Sequence, residues 1–294
     1  LTDPHMSSLD DVKFSQLRGK RWSGYLSWRK NRRKRFLSAV LDKMTAAIRA
    51  EEADQILLTG DLIQIGMASE ILQATDWLRN FGPAAQVMLV PGNHDTYAKG
   101  SVDGVNRAWA GYLFDDHHDV TPGTANEFPV VRKLGGLTLI GLTSACVTPV
   151  FMATGRLGEG QLKRLDELLR QATEEGQLVS LLIHHPPLPG MTNWRKCLTD
   201  ADGLEAVLSP HPPPLIFHGH LHHNRELQWG DSRIYCTAAA SSVSESSYRV
   251  AEIEDAGGHW EIRTTLKSID IDDAGEIGFA VVDEQTWRMP KNTD

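Results

Sequence analysis

Five separated fragments of the chain, Asp3-Pro4-His5, Gly60-Asp61, Gly92-Asn93-His94-Asp95, His184-His185-Pro186-Pro187 and Gly219-His220-Leu221-His222, include among their residues two Asp, one Asn and four His that could all ligate a metal ion. Four of them lie just after a short apolar run: Ile56-Leu57-Leu58-Thr59, Val87-Met88-Leu89-Val90, Leu181-Leu182-Ile183 and Leu215-Ile216-Phe217. A strand that ends immediately before such a residue is how a sheet aims side chains at one point. The spacing therefore predicts a common site at the strand ends.

Between these runs the period changes. Phe36, Val40, Met44 and Ile48 recur at i+4, and Leu162, Leu165, Leu168 and Leu169 follow helical spacing, so both segments read as one-sided helices. Alternation of strands and helices argues for sheets covered by helices. After His222 the pattern turns to strands: Ile234–Thr237, then Tyr248–Ile253 and Trp260–Leu266, the last two joined through Asp255-Ala256-Gly257-Gly258, which suits a hairpin turn. From Asp270 onward acidic residues and Gly are frequent, which reads as an edge strand or a loosely held tail of about 25 residues. A chain of 294 residues without repeats or low-complexity stretches is expected to form one domain over residues 1–294.

The cysteines Cys146, Cys197 and Cys236 are three in number and share no CxxC, which argues against a disulfide framework and for small buried thiols in a reducing compartment. No apolar run approaches the roughly 20 residues needed to cross a bilayer. A cytoplasmic protein is the expectation, with peripheral contact to a membrane as a variant. Motif residues at positions 3 and 5 also suggest that the natural protein has residues before Leu1.

The formal net charge is −8, but its distribution is uneven. Residues 12–41 carry ten Lys or Arg and no Asp or Glu, and without them the balance is 20 basic against 38 acidic residues, or −18. Trp22, Tyr25 and Trp28 interleave with the cations between Arg18 and Arg35. That mixture suits an anionic membrane surface, a lipid headgroup or a nucleic acid, or electrostatic steering of phosphate; equally, the aromatics could pack on the core among solvated cations.

The five fragments resemble the pattern of the calcineurin-like metallophosphoesterase superfamily: DxH, GDxxD, GNH(D/E), a single His, then GHxH. The resemblance spans residues 3–222. It implies an α/β fold, a four-layer αββα sandwich of two mixed β-sheets flanked by helices. It implies two divalent transition-metal ions, with Mn, Fe or Zn the first candidates. Asp3, His5 and His222 would hold the first, Asn93, His184 and His220 the second, and Asp61 would bridge them. The reaction implied is hydrolysis of a phosphoester without a covalent intermediate, by attack of a hydroxide that the two ions share. His94 matches the non-ligand histidine that faces the substrate, and Asp95 is placed by sequence to orient its ring and favour the protonated form. His185, His218 and His223 read as supporting residues; His117, His118 and His211 read as solvated loop residues.

Departures narrow the branch. Gln64 stands where GDxxD has its second Asp. Pro91 and Asp95 stand where Ser/Thr phosphatases carry Arg and Glu, and neither Gln64 nor His5 matches purple acid phosphatases. The His-His-Pro-Pro form of the fourth motif looks most like class III cyclic-nucleotide phosphodiesterases and glycerophosphodiesterases, so a small organic phosphodiester is the expected substrate. Nucleic acid is disfavoured because little chain follows residue 222 to grip it. The alternatives are a membrane-surface hydrolase of phospholipid or lipid-linked pyrophosphate, using residues 18–35, and a non-catalytic scaffold.

Overall fold

The i+4 stripe of Val40, Met44 and Ile48 becomes the buried face of a helix, and Phe36 falls just outside it, in a β-bridge to Ser242. The computed structural model describes residues 1–6, 8–114 and 128–291. His117 and His118 lie outside the described residues. In chain order the elements are α1 (Lys20–Ser27), α2 (Ser38–Ala50), β1 (Ile56–Leu58), α3 (Ala68–Phe81), β2 (Val87–Leu89), α4 (Lys99–Ala108), α5 (Ala110–Leu113), β3 (Val130–Leu134), β4 (Leu137–Gly141), α6 (Glu159–Glu174), β5 (Leu178–Leu182), α7 (Ala201–Leu208), β6 (Leu215–His218), β7 (Arg225–Trp229), β8 (Ser232–Cys236), β9 (Ser247–Asp255), β10 (His259–Ile271) and β11 (Ile277–Pro290), with a π-helical turn at Trp28–Arg32.

The largest sheet has the order β3-β4-β5-β6-β8-β7. Its four inner strands run parallel, and β3 and β7 close the two edges antiparallel. Because successive side chains of a strand point to opposite faces, β5 serves two cores. Val179 and Leu181 pack with Leu165, Leu169, Leu204 and Leu208 of α6 and α7. Leu178 meets Trp260 and Ile262 of β10, and Leu182 meets Leu58 and Leu89 of β1 and β2. Helices α2 to α5 cover the far side of β1 and β2. Each fully buried Leu or Ile in these layers contributes about 1.5–3 kcal/mol.

The four layers are those expected, but the second is built in pieces. β1 and β2 form a parallel pair, and β9, β10 and β11 form an antiparallel sheet. Leu1 and Thr2 lie between the pieces, accepting hydrogen bonds from the Thr59 and Ala240 amides at 3.1 and 3.0 Å. Residues after Asp270 form the edge strand of the two readings: β11 pairs with β10 from Ile271↔Ile277 to His259↔Pro290, with a bulge at Leu266/Lys267. Gly257, at φ 85°, turns the β9–β10 hairpin. Of the three unpaired thiols only Cys236 is fully buried; Cys146 and Cys197 are half-buried. No helix among the described residues is long and apolar enough to cross a membrane.

Candidate metal centre

The strands deliver the motif residues as their positions require. β1 leads through Gly60 to Asp61, β2 to Asn93, β5 to His184 and β6 to His220, while the N-terminal segment lies alongside, with the Asp3 and His5 amides donating to Gly60 O and Asp61 O at 3.0 Å. Among the described residues, seven besides glycine have positive φ, and five of them are ligand candidates: Asp3 (50°), His5 (42°), Asp61 (59°), His220 (71°) and His222 (59°). A left-handed backbone is unfavourable for residues with a Cβ, so this concentration marks where the surrounding structure holds the chain against local preference. Gly92 is required for a related reason: a Cβ there would stand 2.2 Å from Asp61 Oδ1 and 2.5 Å from its amide.

The carboxyl and imidazole groups fall into two sets that share one member. Asp3, His5, Asp61 and His222 can each place a ligand atom within 4.8 Å of one another, and so can Asp61, His184 and His220. Asn93 joins the second set, its Oδ1 lying 3.2 Å from His184 Nε2. All seven sequence candidates are thus brought together around Asp61. Each Asp has one oxygen tied by protein and the other turned inward. Asp61 Oδ1 accepts from the His94 amide at 2.7 Å, leaving Oδ2 at 3.8 Å from His5 Nε2 and 3.4 Å from His184 Nε2. Asp3 Oδ2 accepts from Thr2 Oγ1 and the His220 amide, leaving Oδ1 at 3.0 Å from His222 Nε2.

The histidines show the matching pattern. His5 Nδ1 donates to Ile63 O at 3.2 Å and His184 Nδ1 to Thr59 O at 2.6 Å. A carbonyl can only accept, so these Nδ1 atoms carry the protons and each Nε2 lone pair faces the centre, the orientation that metal-ligating imidazoles take. His5 Nε2 and His222 Nε2 lie 3.2 Å apart, and His220 Nε2 is buried without a hydrogen-bond partner. Burial, reinforced by neighbouring rings, pushes His5 and His220 well below the usual imidazole range, which keeps them neutral as ligands must be. Burial opposes charge on His184 as well, yet the Asp61 carboxylate overrides it and pushes that ring up to about 9. The corner between these two side chains strongly favours positive charge. An orphaned Nε2, inward lone pairs, carboxylate oxygens and no thiolate together fit borderline or hard divalent ions.

A family model for calcineurin-like phosphoesterases matches residues 1–224, which include all seven of these residues. The chain belongs to the calcineurin-like phosphoesterase family. Among curated relatives, it is similar to the 3',5'-cyclic adenosine monophosphate phosphodiesterase CpdA of Escherichia coli (strain K12), 31% identical over 191 residues that cover 63% of this chain and 60% of the relative. It thus spans about three-fifths of that relative's length. A probable cyclic nucleotide phosphodiesterase of Pseudoalteromonas sp. (strain SM9913) is 23% identical over 217 residues, 73% of this chain and 74% of the relative. Among solved structures, a dimetal phosphatase from Danio rerio shares the fold at a TM-score of 0.62 and 15% identity, covering 97% of this chain and 96% of that one.

Within this family frame, two expectations about the third motif need correction. Asp95 does not orient the His94 ring. Its fully buried carboxylate instead accepts from the amides of Asp61, Leu62 and Gly92 at 2.8–2.9 Å, which ties the Gly60-Asp61 loop to the Gly92-Asn93 loop. Those amides would otherwise be buried without partners, and each bond to a charged acceptor contributes about 1.5–3 kcal/mol, so they outcompete one ring N–H. Burial and the Asp61 charge push the Asp95 carboxyl up to about 7. Nor is the protonated form of His94 favoured. Burial first, then the Arg32 guanidinium, lowers that ring to about 3. Its Nδ1 is held against Gln64 O, which leaves Nε2 as the nitrogen with a free lone pair.

The basic segment is largely exposed, but two of its three aromatics are core. Tyr25 and Trp28 are buried with Leu9, Leu17, Ile65 and Tyr97, and only Trp22 is exposed. Arg21 donates to Ile65 O and Gly66 O, and Arg33 pairs with Asp10 at 2.7 Å. Gln64, the departure in the second motif, is buried and donates through Nε2 to His5 O at 2.7 Å, so it braces a ligand's backbone as a neutral group.

Three other residues escaped the sequence reading. Glu70 accepts from the amides of Gln64, Ile65 and Met67 and holds the loop after Asp61. Phe36 packs against the rings of His5 and His222. Arg32 reaches His94, and only its place in a dense run of cations could have drawn notice. His185 and His218 are buried supports: His185 contacts Ser144 Oγ at 2.7 Å and Ala153 O at 3.2 Å. His223 is exposed beside Glu245, and half-buried His211 lies in the turn after α7.

Proposed function

We propose that this chain is a dinuclear metal-dependent phosphodiesterase acting on a small organic phosphodiester. The observation that carries the reading is the pair of ligand sets joined through the inward oxygen of Asp61. Asp3, His5 and His222 would hold one ion, Asn93, His184 and His220 the other, and Asp61 both; Mn, Fe or Zn would suit this donor set. When bound, such a pair lowers the pKa of water and draws charge from phosphate oxygens. The protein's own groups do the rest. The His94 amide fixes Asp61, the Gln64 carbonyl fixes the His94 ring, and the free lone pair of His94 Nε2 can take a proton from the attacking water and pass it to the departing alkoxide.

Support for a diester with an organic portion comes from the cleft beside His94. Phe151, 82% exposed and at φ 66°, stands at its mouth with an apolar face open to a ligand. The His-His-Pro-Pro motif and the two relatives named as cyclic nucleotide phosphodiesterases point the same way. Metal-loaded protein is therefore expected to cleave bis-p-nitrophenyl phosphate, and within a panel that includes 3',5'-cyclic AMP and glycerophosphodiesters at least one diester, faster than p-nitrophenyl phosphate. If the monoester is clearly the better substrate, the phosphodiesterase reading should give way to a phosphatase.

A further inference from the structure

The cation-rich segment 12–41 is the one sequence feature that the metal centre leaves unexplained. Its middle, from Lys20 to Arg32, forms a wall of the cleft. This cavity, of about 350 Å³, has Asn93 and His94 on one side and loops around Phe151 and Arg195 on the other. Every charged side chain that lines it is a cation: Lys20, Arg32, Arg195 and Lys196. Among the described residues Lys20 hydrogen-bonds to neutral oxygens, Thr148 Oγ1 at 2.7 Å and Met152 O at 3.4 Å, and lies 4.5 Å from the centre of the Tyr97 ring, and Arg32 has no carboxylate within ion-pair distance.

Arg32 is the member of this set nearest the reaction centre. Buried Trp28 anchors the turn, and the π-type bond from the Arg33 amide to Trp28 O at 3.0 Å sets the direction of the two residues that follow one another at its end. Arg33 leaves outward to Asp10, whereas Arg32 turns inward until Nη1 lies 3.3 Å from His94 Nδ1 and 3.4 Å from Gln64 Oε1. Since His94 Nδ1 donates to Gln64 O, it offers Arg32 no lone pair, and among the described residues the amide oxygen at 3.4 Å is the only acceptor that Nη1 has. A guanidinium has five donors in a planar fork that matches two oxygens of a phosphate. Gln64 sits where the family pattern has Asp; a carboxylate there would hold Arg32 as an ion pair, and the neutral amide leaves its charge uncommitted.

We propose that Arg32 grips a non-bridging oxygen of the scissile phosphate beside His94. The assignment rests on the phosphoesterase reading of the same site, but it can be tested apart from turnover. Binding of inorganic phosphate to the manganese-loaded protein would be measured by calorimetry for the wild type, Arg32→Ala and Arg32→Lys, with metal content and melting temperature recorded for each. Arg32→Ala is expected to weaken phosphate about 10–100-fold with metal content unchanged, and Arg32→Lys, which keeps the charge without the fork, to fall between. Guanidinium ion at sub-denaturing concentration should restore part of the loss in Arg32→Ala, which a merely structural role would not allow. Equal phosphate affinity in wild type and Arg32→Ala overturns the proposal, as does loss of phosphate binding that tracks loss of metal in both variants. A wild type that binds phosphate yet cleaves no diester sinks the phosphodiesterase reading instead, and the affinity comparison still decides Arg32.

Discussion

Replacing Asp61 with alanine is expected to empty both metal positions together and to lower turnover by more than about 10³-fold, since loss of an outer partner of a ligand alone costs about 10–100-fold. The reason is geometric. Oδ2 of Asp61 faces His5 of one ligand set and His184 of the other, while Oδ1 is fixed by the His94 amide. No other residue belongs to both sets. Elemental analysis of the variant should show both ions depleted, not one. A variant that keeps one ion at full occupancy would show that Asp61 serves a single position, and a fully active variant would remove it from the site altogether.

His94→Ala should behave differently. His94 belongs to neither ligand set, and its ring is held on the opposite side by Gln64 O, so metal content should stay near normal while turnover falls about 10²–10⁴-fold, the usual yield of a positioned proton-transfer group. The loss should be smaller for a p-nitrophenyl ester, whose leaving group needs little protonation, than for an alkyl diester. Equal losses on the two esters would assign His94 to phosphate positioning, and loss of metal with activity would place it among the ligands.

What could be read from residue order follows from the kind of constraint involved. A dinuclear centre needs particular side chains at the ends of several strands, and a short, mostly apolar strand before four of the five fragments is visible in the chain, as at Ile56–Leu58 before Asp61 or Leu178–Leu182 before His184. The polar edge strands were less legible. β7, Arg225–Trp229, is exposed at four of its five positions and alternates apolar residues only at Leu227 and Trp229, and β11 follows the acidic residues Asp270, Asp272, Asp273 and Glu276 that allowed a tail as well as an edge strand. Such strands are fixed by backbone pairing with β8 and β10, which composition does not reveal. The role of Asp95 was misread for a related reason. Sequence adjacency suggested the His94 ring, but the burial of the carboxylate made the amides of a loop more than thirty residues away its stronger partners. Arg32 was hidden among ten cations because only the turn at Trp28 separates an inward side chain from outward ones.

Metal stoichiometry tests the proposed dinuclear phosphodiesterase most directly. Metal-free protein would be titrated with manganese, with bound metal measured by elemental analysis and bis-p-nitrophenyl phosphate turnover followed at each point. Two ions per chain are expected, with turnover rising as the second is taken up and vanishing on chelation. Saturation at one ion per chain, or turnover that persists unchanged in chelator, would contradict it.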